Sequence, residues 1–175
     1  MSKQMSLFDD AGDSEADKPR RAGAMVEPVA PAPVDEATRA IAARLPSSVH
    51  LGTSSWSFPG WTGLVYGPRH GRPETETRLA KHGLAAYASH PLFRTVSLDR
   101  TFYAPISADA FAAYAAQVPD DFRFVVKAPQ AFTDPVIRRP GSGMASRDNR
   151  SFLDSAAAIE TFVRPALTGL GIKTG

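Results

Sequence analysis

Three polar side chains stand where short apolar runs end: Ser54 closing "VHLGTS", Asp99 closing "RTVSLD" and Lys127 near the end of "FRFVVKA". An ammonium such as Lys127 binds an anionic oxygen, or serves as a base when its surroundings lower its pKa; a carboxylate such as Asp99 serves as a base or a metal ligand. A hydroxyl such as Ser54 hydrogen-bonds a ligand. On neighbouring strands Asp99 and Lys127 are expected within ion-pair reach, which reads equally as a buried salt bridge neutralising two costly charges. Aromatic residues surround the trio: Trp56, Trp61 and Tyr66 in "TSSWSFPGWTGLVYG", then Phe102 and Tyr103 directly after Asp99. Such rings either stack on a base, a sugar or another planar group, or plug a barrel mouth as core.

Other chemistries are excluded by composition or lack a motif. The chain has no cysteine, so disulfides, thiolate metal sites and cysteine nucleophiles are absent. No G-x-S-x-G elbow, P-loop or dinucleotide fingerprint occurs, so no hydrolytic serine triad and no cofactor is specified by motif. His50, His70, His82 and His90 show no ligand-like spacing with one another or with carboxylates, and no metal site is assigned. Residues 1–47 carry six Lys and Arg against eight Asp and Glu, the remainder fourteen against ten. The mildly basic body suits an anionic ligand, yet the imbalance is too small to establish nucleic-acid binding. The N-terminus lacks the apolar run of a signal peptide, and no segment reaches the roughly 20 apolar residues of a membrane helix, so a cytoplasmic location without membrane association is expected.

The elements that must position these residues alternate. "VHLGTS", "RTVSLD" and "FRFVVKA" read as strands. Between them "RLAKHGLAAYA" reads as a helix carrying Leu84 and Tyr87 inward, and Ser107 as the N-cap of "ADAFAAYAAQV", where Phe111, Tyr114, Ala115 and Val118 form one stripe. A third helix is expected from Ser151, with Ser151 and Asp154 at capping-box spacing and Phe152, Ile159, Phe162 and Val163 as its stripe, ended or kinked by Pro165. This β-α-β-α-β-α order implies an α/β fold with parallel strands, in a doubly wound sheet or a (β/α) barrel. Alternation along the strands sets Val96, Leu98, Phe122, Phe124 and Val126 under the helices and leaves Ser54, Asp99 and Lys127 as the last residues on the other face. All three lie at strand carboxyl ends, where parallel α/β folds build their sites.

Ahead of this body, residues 1–47 divide into a polar, acidic stretch, the Pro/Ala-rich "AMVEPVAPAPVDEA", and a short helical stretch "DEATRAIAARL" with Ala37, Ile41 and Leu45 on one face. Residues 1 to about 35 cannot bury enough apolar surface to offset their ordering entropy and are expected to form a flexible tail. Between the third strand and third helix, "APQAFTDPVIRRPGSGMASRDNR" is long for a loop. Arg138, Arg139, Arg147 and Arg150 there suit a phosphate clamp or a solvated surface.

"LGTSSWSFPGWTGLVYGP", "TVSLDRTFYAPIS", "VPDDFRFVVKAP" and the closing "FLDS…FVRPALTGLGIKTG" resemble, in order and spacing, the YecE-like family, also called domain of unknown function 72. The similarity runs from about Val49 to Gly175. It implies a TIM-barrel fold with no established activity, and therefore a fold without a reaction. Trp56, Trp61, Tyr66, Phe102, Tyr103, Lys127 and Thr133 match the family pattern, and the aromatics and Thr133 are carried over as ligand-binding candidates beside Ser54. Ser97 and Asp99 stand where the family usually has a glutamate and an asparagine, and Asp134 where a histidine often follows the threonine, so a mechanism needing those groups is not transferred. The resemblance further implies that "GLGIKTG" precedes a fourth strand. Only about the first three βα units of a barrel would then be present in residues 48–175, as a truncated product or as half of something that dimerises.

One motif lies outside the body. Gln4, Leu7 and Phe8 in "QMSLF" resemble the short peptide by which bacterial polymerases and mismatch-repair proteins dock onto the sliding clamp. Its glutamine fits a small polar pocket and its Leu-Phe pair an apolar groove. Three functions follow as alternatives: a barrel binding a small anionic or phosphate-bearing ligand, with Asp99 and Lys127 as the catalytic candidates if it is an enzyme; a clamp-tethered accessory factor of DNA replication or repair, acting near nucleic acid; or a non-functional fragment.

Overall fold

The computed structural model describes residues 27–138 and 144–175. Three strands, β1 (Leu51–Thr53), β2 (Phe93–Leu98) and β3 (Arg123–Val126), form a parallel sheet in sequential order β1-β2-β3, with Thr53 opposite Val96 and Leu98 opposite Val126. Helix α1 (Glu36–Arg44) precedes the sheet, α2 (Glu76–His82) and α3 (Leu84–Ala88) connect β1 to β2, and α4 (Ala108–Ala115) connects β2 to β3. Beyond β3 come α5 (Gln130–Thr133), an antiparallel pair β4 (Val136–Arg138) and β5 (Ala145–Asp148), and a run of α6 (Ser155–Ala158), a π-helical turn (Ile159–Val163) and α7 (Arg164–Leu170). At the far edge Thr174 bridges Phe124 in parallel.

Capping chemistry starts most of the helices. The side chains of Asp35, Thr75 and Ser107 accept from the main-chain N–H three residues on, as expected for N-caps. The third helix begins later than its sequence suggested: Asp154, not Ser151, accepts from Ala157 N–H, and α6 opens at Ser155. Pro165 neither ends nor breaks that run. It sits in the first turn of α7, directly after the π turn, so the distortion it imposes falls at that turn.

The core lies between the sheet and the helices. Val96 and Leu98 of β2, Phe124 of β3 and the preceding Phe122 are buried against Leu79, Leu84, Tyr87, Phe111, Ala166 and Leu170. Burial of a large apolar side chain contributes about 1.5–3 kcal/mol, so this layer is the main source of stability. Tyr87 also joins the first two strands: its hydroxyl accepts from Thr53 N–H at 3.0 Å and donates to the Thr95 carbonyl at 3.1 Å, beside the irregular β1–β2 register.

Four local expectations are corrected. Residues 29–34 are not free linker: Val29 and Ala32 are buried, and Ala32 N–H donates to Val65 O and Gly67 N–H to Ala30 O. In α1 the buried residue is Ala42, while Ile41 is 55% exposed and Ala37 is exposed. Of the expected apolar stripe, Phe152, Ile159 and Val163 are exposed and Phe162 is half-buried; the run packs instead through Ala166 and Leu170, and Gly169, with no side chain, lets α7 approach α4 closely. The segment after β3 holds α5 and the β4–β5 pair, with Asn149 Nδ2 donating to Ala131 O and Asp134 O to tie them together. Gln4, Leu7, Phe8 and Arg139 lie outside the described residues.

Candidate functional site

At the carboxyl ends of β1 and β2 a cleft of about 320 Å³ is lined by Ser54, Ser55, Trp56, Ser57, Ala80, Lys81, Ser97, Leu98, Asp99, Arg100 and Tyr114. Each wall follows from a local feature of the chain. The serine-rich turn leaves β1 and is stitched by Ser55 Oγ, 3.1 Å from Ser57 Oγ. Asp99 and Arg100 open the 3-10 turn that follows β2, and Lys81 lies in the last turn of α2.

The cleft combines hydroxyls, two cations and one carboxylate. One oxygen of the half-buried Asp99 accepts from Ser97 Oγ at 2.7 Å. Arg100 Nη1 donates to Tyr114 Oη at 2.9 Å, so the phenol orients the guanidinium while its other N–H groups stay uncommitted among the described residues. Trp56 forms an apolar wall: it packs edge-on to Tyr114 at 5.6 Å, and its Nε1 donates to Leu79 O at 3.1 Å. Hydroxyls and cations around a partly apolar hollow suit a small anionic group carried on an organic body.

Of the three strand-end residues, Ser54 and Asp99 share this cleft and Lys127 does not line it. No ion pair joins Asp99 to Lys127 among the described residues; the exposed ammonium of Lys127 instead lies 4.7 Å from the centre of the Phe102 ring. A long flexible stem carries the charge away from its backbone position, and the ring face attracts it. The backbone there is fixed by Thr101, whose buried Oγ1 is 2.7 Å from Leu98 O and 2.6 Å from Lys127 O.

The aromatic candidates separate into distinct environments. Tyr66 is fully buried, its hydroxyl donating to the Trp56 carbonyl, and burial raises its pKa far above the ordinary phenol value. It closes the tryptophan loop from within. Trp61 is half-buried, stacked on Tyr87 at 6.3 Å and edge-on to Phe58 at 5.5 Å. Tyr103 is 82% exposed, edge-on to Phe102, and borders a separate surface hollow with Gln130, Ile137 and Asn149. The Thr133 hydroxyl donates to Pro129 O, one turn back in its own helix.

Lys81, Arg100, Ser97 and Tyr114 are cleft residues that sequence reasoning did not select. Arg100 directly follows Asp99 at a strand end, which is a usable signal. Lys81 reads as an ordinary helix-end cation. Among the described residues no group of three His, Asp or Glu side chains is placed to hold a metal ion. No described helix is long and apolar enough to cross a membrane.

Comparison with known proteins gives a family without an activity. The family model described as "Protein of unknown function DUF72" matches residues 50–172. No curated protein matches. Among solved structures, the crystal structure of a DUF72 family protein from Enterococcus faecalis at 3.10 Å resolution is 20% identical with a TM-score of 0.44, covering 70% of this chain and 35% of that chain. A second crystal structure of a DUF72 family protein from Enterococcus faecalis, at 2.52 Å, is 21% identical with a TM-score of 0.38, covering 52% of this chain and 32% of that chain. The chain thus spans about a third of the length of the solved structures it matches.

Proposed function

The chain belongs to the DUF72 family, matched over residues 50–172 by a description that names no reaction, and on that premise we propose that it binds a small phosphate-bearing or other anionic molecule in the cleft between the ends of β1 and β2. The observation that carries this reading is the joining of Ser54 and Asp99 with two cations, Lys81 and Arg100, around one hollow with a Trp56 wall. Sequential parallel strands, with Thr174 bridging the outer edge of β3, support reading the body as successive βα units of a TIM-like barrel. In such a barrel the strand carboxyl ends form the site, which is where this cleft lies. Arg100 and Lys81 take the anion-binding role that Lys127 has in the sequence pattern, and Asp99 remains the one carboxylate available as a base.

Trp56 supplies the readout. Titration of the full chain with glucose 6-phosphate, followed by tryptophan fluorescence, is expected to give a saturable change that Arg100→Ala and Lys81→Ala each weaken about tenfold and that Lys127→Ala leaves unchanged. No saturable response, or one untouched by Arg100→Ala, rejects the cleft.

A second reading rests on Gln4, Leu7 and Phe8 alone, whose spacing suits docking to a bacterial sliding clamp and would bring the protein to DNA. The two readings are compatible, since they use different parts of the chain.

A further inference from the structure

Near the other end of α2 from Lys81, a hollow of about 480 Å³ is lined by Arg69, His70, Arg72, Pro73, Glu74, Thr75 and Arg78. Its geometry begins with a tight turn. Arg69 and Arg72 exchange main-chain hydrogen bonds at 2.8 and 3.0 Å across His70 and Gly71, whose φ angles are 48° and 76°. Positive φ at both central residues is the signature of a primed hairpin turn, costless for Gly71 and uncommon for a residue with a side chain such as His70. That turn sets Arg69 and Arg72 directly opposite each other on one face of the ribbon, with Cβ atoms about 5 Å apart, a spacing at which like charges repel.

Neighbouring acids relieve this crowding only in part. Arg78 is fixed from both sides: Nε lies 3.0 Å from the buried Glu74 carboxylate, and Nη2 donates to the Glu27 main-chain carbonyl. Arg69 Nε meets the Glu27 carboxylate at 3.3 Å, but both side chains are largely in water, at 43% and 61% exposure. Such an exposed pair contributes at most about 1 kcal/mol and yields readily to a competing anion. Arg72 has no side-chain partner among the described residues. Counting guanidinium and carboxylate groups alone, the hollow holds three positive charges against Glu74 and Glu27, and only Glu74 once Glu27 is displaced.

We propose that this hollow is a second anion site, which takes a phosphate dianion between Arg69, Arg72 and Arg78 in exchange for the Glu27 carboxylate. Displacing Glu27 leaves a net charge of +2 to meet the dianion. The Glu74 pair holds Arg78 in place, so one guanidinium is preorganised before the ligand arrives, and the turn fixes the backbone positions from which the other two reach. Phosphate and Glu27 exclude each other at Arg69, so the ligand loosens the side-chain tie that Glu27 makes across the start of the described chain.

The site is separable from the β1–β2 cleft by working in an Arg100→Ala background, where that cleft is weakened, and by Arg72→Ala, a residue that does not line that cleft. Inorganic phosphate titrated calorimetrically into this full-length variant at low ionic strength is expected to bind saturably. Adding Arg72→Ala should weaken binding at least about tenfold, and adding Glu27→Gln, which keeps the main-chain acceptor of Arg78, should tighten it about threefold or more. Arg72 is exposed, so its loss leaves the fold intact, as an unchanged thermal melt will verify. Methyl phosphate in a parallel titration separates the sources: binding as tight as inorganic phosphate assigns a monoester, and weaker binding the free ion. No saturable binding in the Arg100→Ala background, affinity indifferent to Arg72→Ala, or affinity weakened by Glu27→Gln overturns the proposal, whatever the fate of the first cleft.

Discussion

Trp56 Nε1 donates to the main-chain carbonyl of Leu79 at 3.1 Å, fastening the loop after β1 to the helix that leads toward β2. The same indole is buried, packs edge-on to Tyr114, and has its own carbonyl held by Tyr66. One ring therefore belongs both to the core and to the wall of the cleft. Trp56→Ala should destabilise the protein by about 3–5 kcal/mol, since it empties a large buried volume. By contrast Tyr103→Ala, on a largely exposed ring, should stay within about 0.5 kcal/mol. Urea denaturation midpoints compare the two directly, and equal shifts would place Trp56 outside the core.

Asp99 shares its hollow with the cations proposed to bind the ligand, so its charge opposes an anion there. Asp99→Asn keeps the hydrogen bond from Ser97 Oγ and removes that charge. Affinity for glucose 6-phosphate should rise about three- to tenfold at low salt, and the gain should shrink as salt screens it. A loss of affinity would instead make the Asp99 carboxylate a direct ligand contact.

How much of this arrangement was readable beforehand varies with the range of the interaction involved. Period-two alternation placed Val96, Leu98, Phe122 and Phe124 under the helices, and the Ser107 cap and the inward Leu84 and Tyr87 follow from spacing along one segment. These are local rules, and they held for those residues; on β1 the same alternation put Leu51 on the covered face, where it is 42% exposed, and on β3 it put Val126 there, which is only half-buried. The choice of Ala42 over Ile41 depends on which neighbour α1 meets, and one residue turns a helix by about 100°. The position of the Lys127 ammonium is a tertiary outcome, because Phe102 draws it off the strand end. Lys81 and Arg100 come together from a helix end and a 3-10 turn distant in sequence, and no pattern within either segment announces that meeting. The β4–β5 pair is built from strands too short to show a period.

Burial holds Tyr66 and Tyr87 in their neutral forms, pushing both phenols above the ordinary value near pH 10, with Thr53 partly offsetting the shift at Tyr87. A group whose folded pKa is raised contributes stability that is complete below its unfolded pKa and lost as pH climbs past it. The melting temperature should therefore fall from about pH 10 upward, with the tyrosinate absorbance of the buried Tyr66 and Tyr87 appearing only as the chain unfolds. Tyr66→Phe should lower stability at neutral pH by about 1 kcal/mol through the lost hydrogen bond, yet show the shallower alkaline decline. Parallel alkaline slopes for the two proteins would refute this account.

Gln4, Leu7 and Phe8 can be tested apart from the body, because a short linear motif carries its recognition in its own side chains. A peptide of residues 1–12 should bind a bacterial sliding clamp with a dissociation constant of about tens of micromolar or tighter, measured by fluorescence anisotropy. Phe8→Ala should abolish the signal, since the aromatic ring fills most of the apolar groove. Absence of binding by the native peptide removes the clamp reading and leaves the two anion sites untouched.

Gly169 sits where α7 crosses α4, and a Cβ there would lie 2.3 Å from Ala108 O and 2.4 Å from Phe111 Cβ. Two effects oppose each other in Gly169→Ala. Helix propensity favours alanine by about 1 kcal/mol, whereas forcing a methyl group against backbone atoms costs about 1–3 kcal/mol or more. The contacted atoms belong to the main chain and to the buried Phe111, so neither can swing aside, and the helices must separate. The clash wins, and the variant should melt at lower temperature despite its better helix former. A stabilised Gly169→Ala would mean that α4 and α7 do not meet as closely as described, and that the helical layer under β2 and β3 is packed in another way.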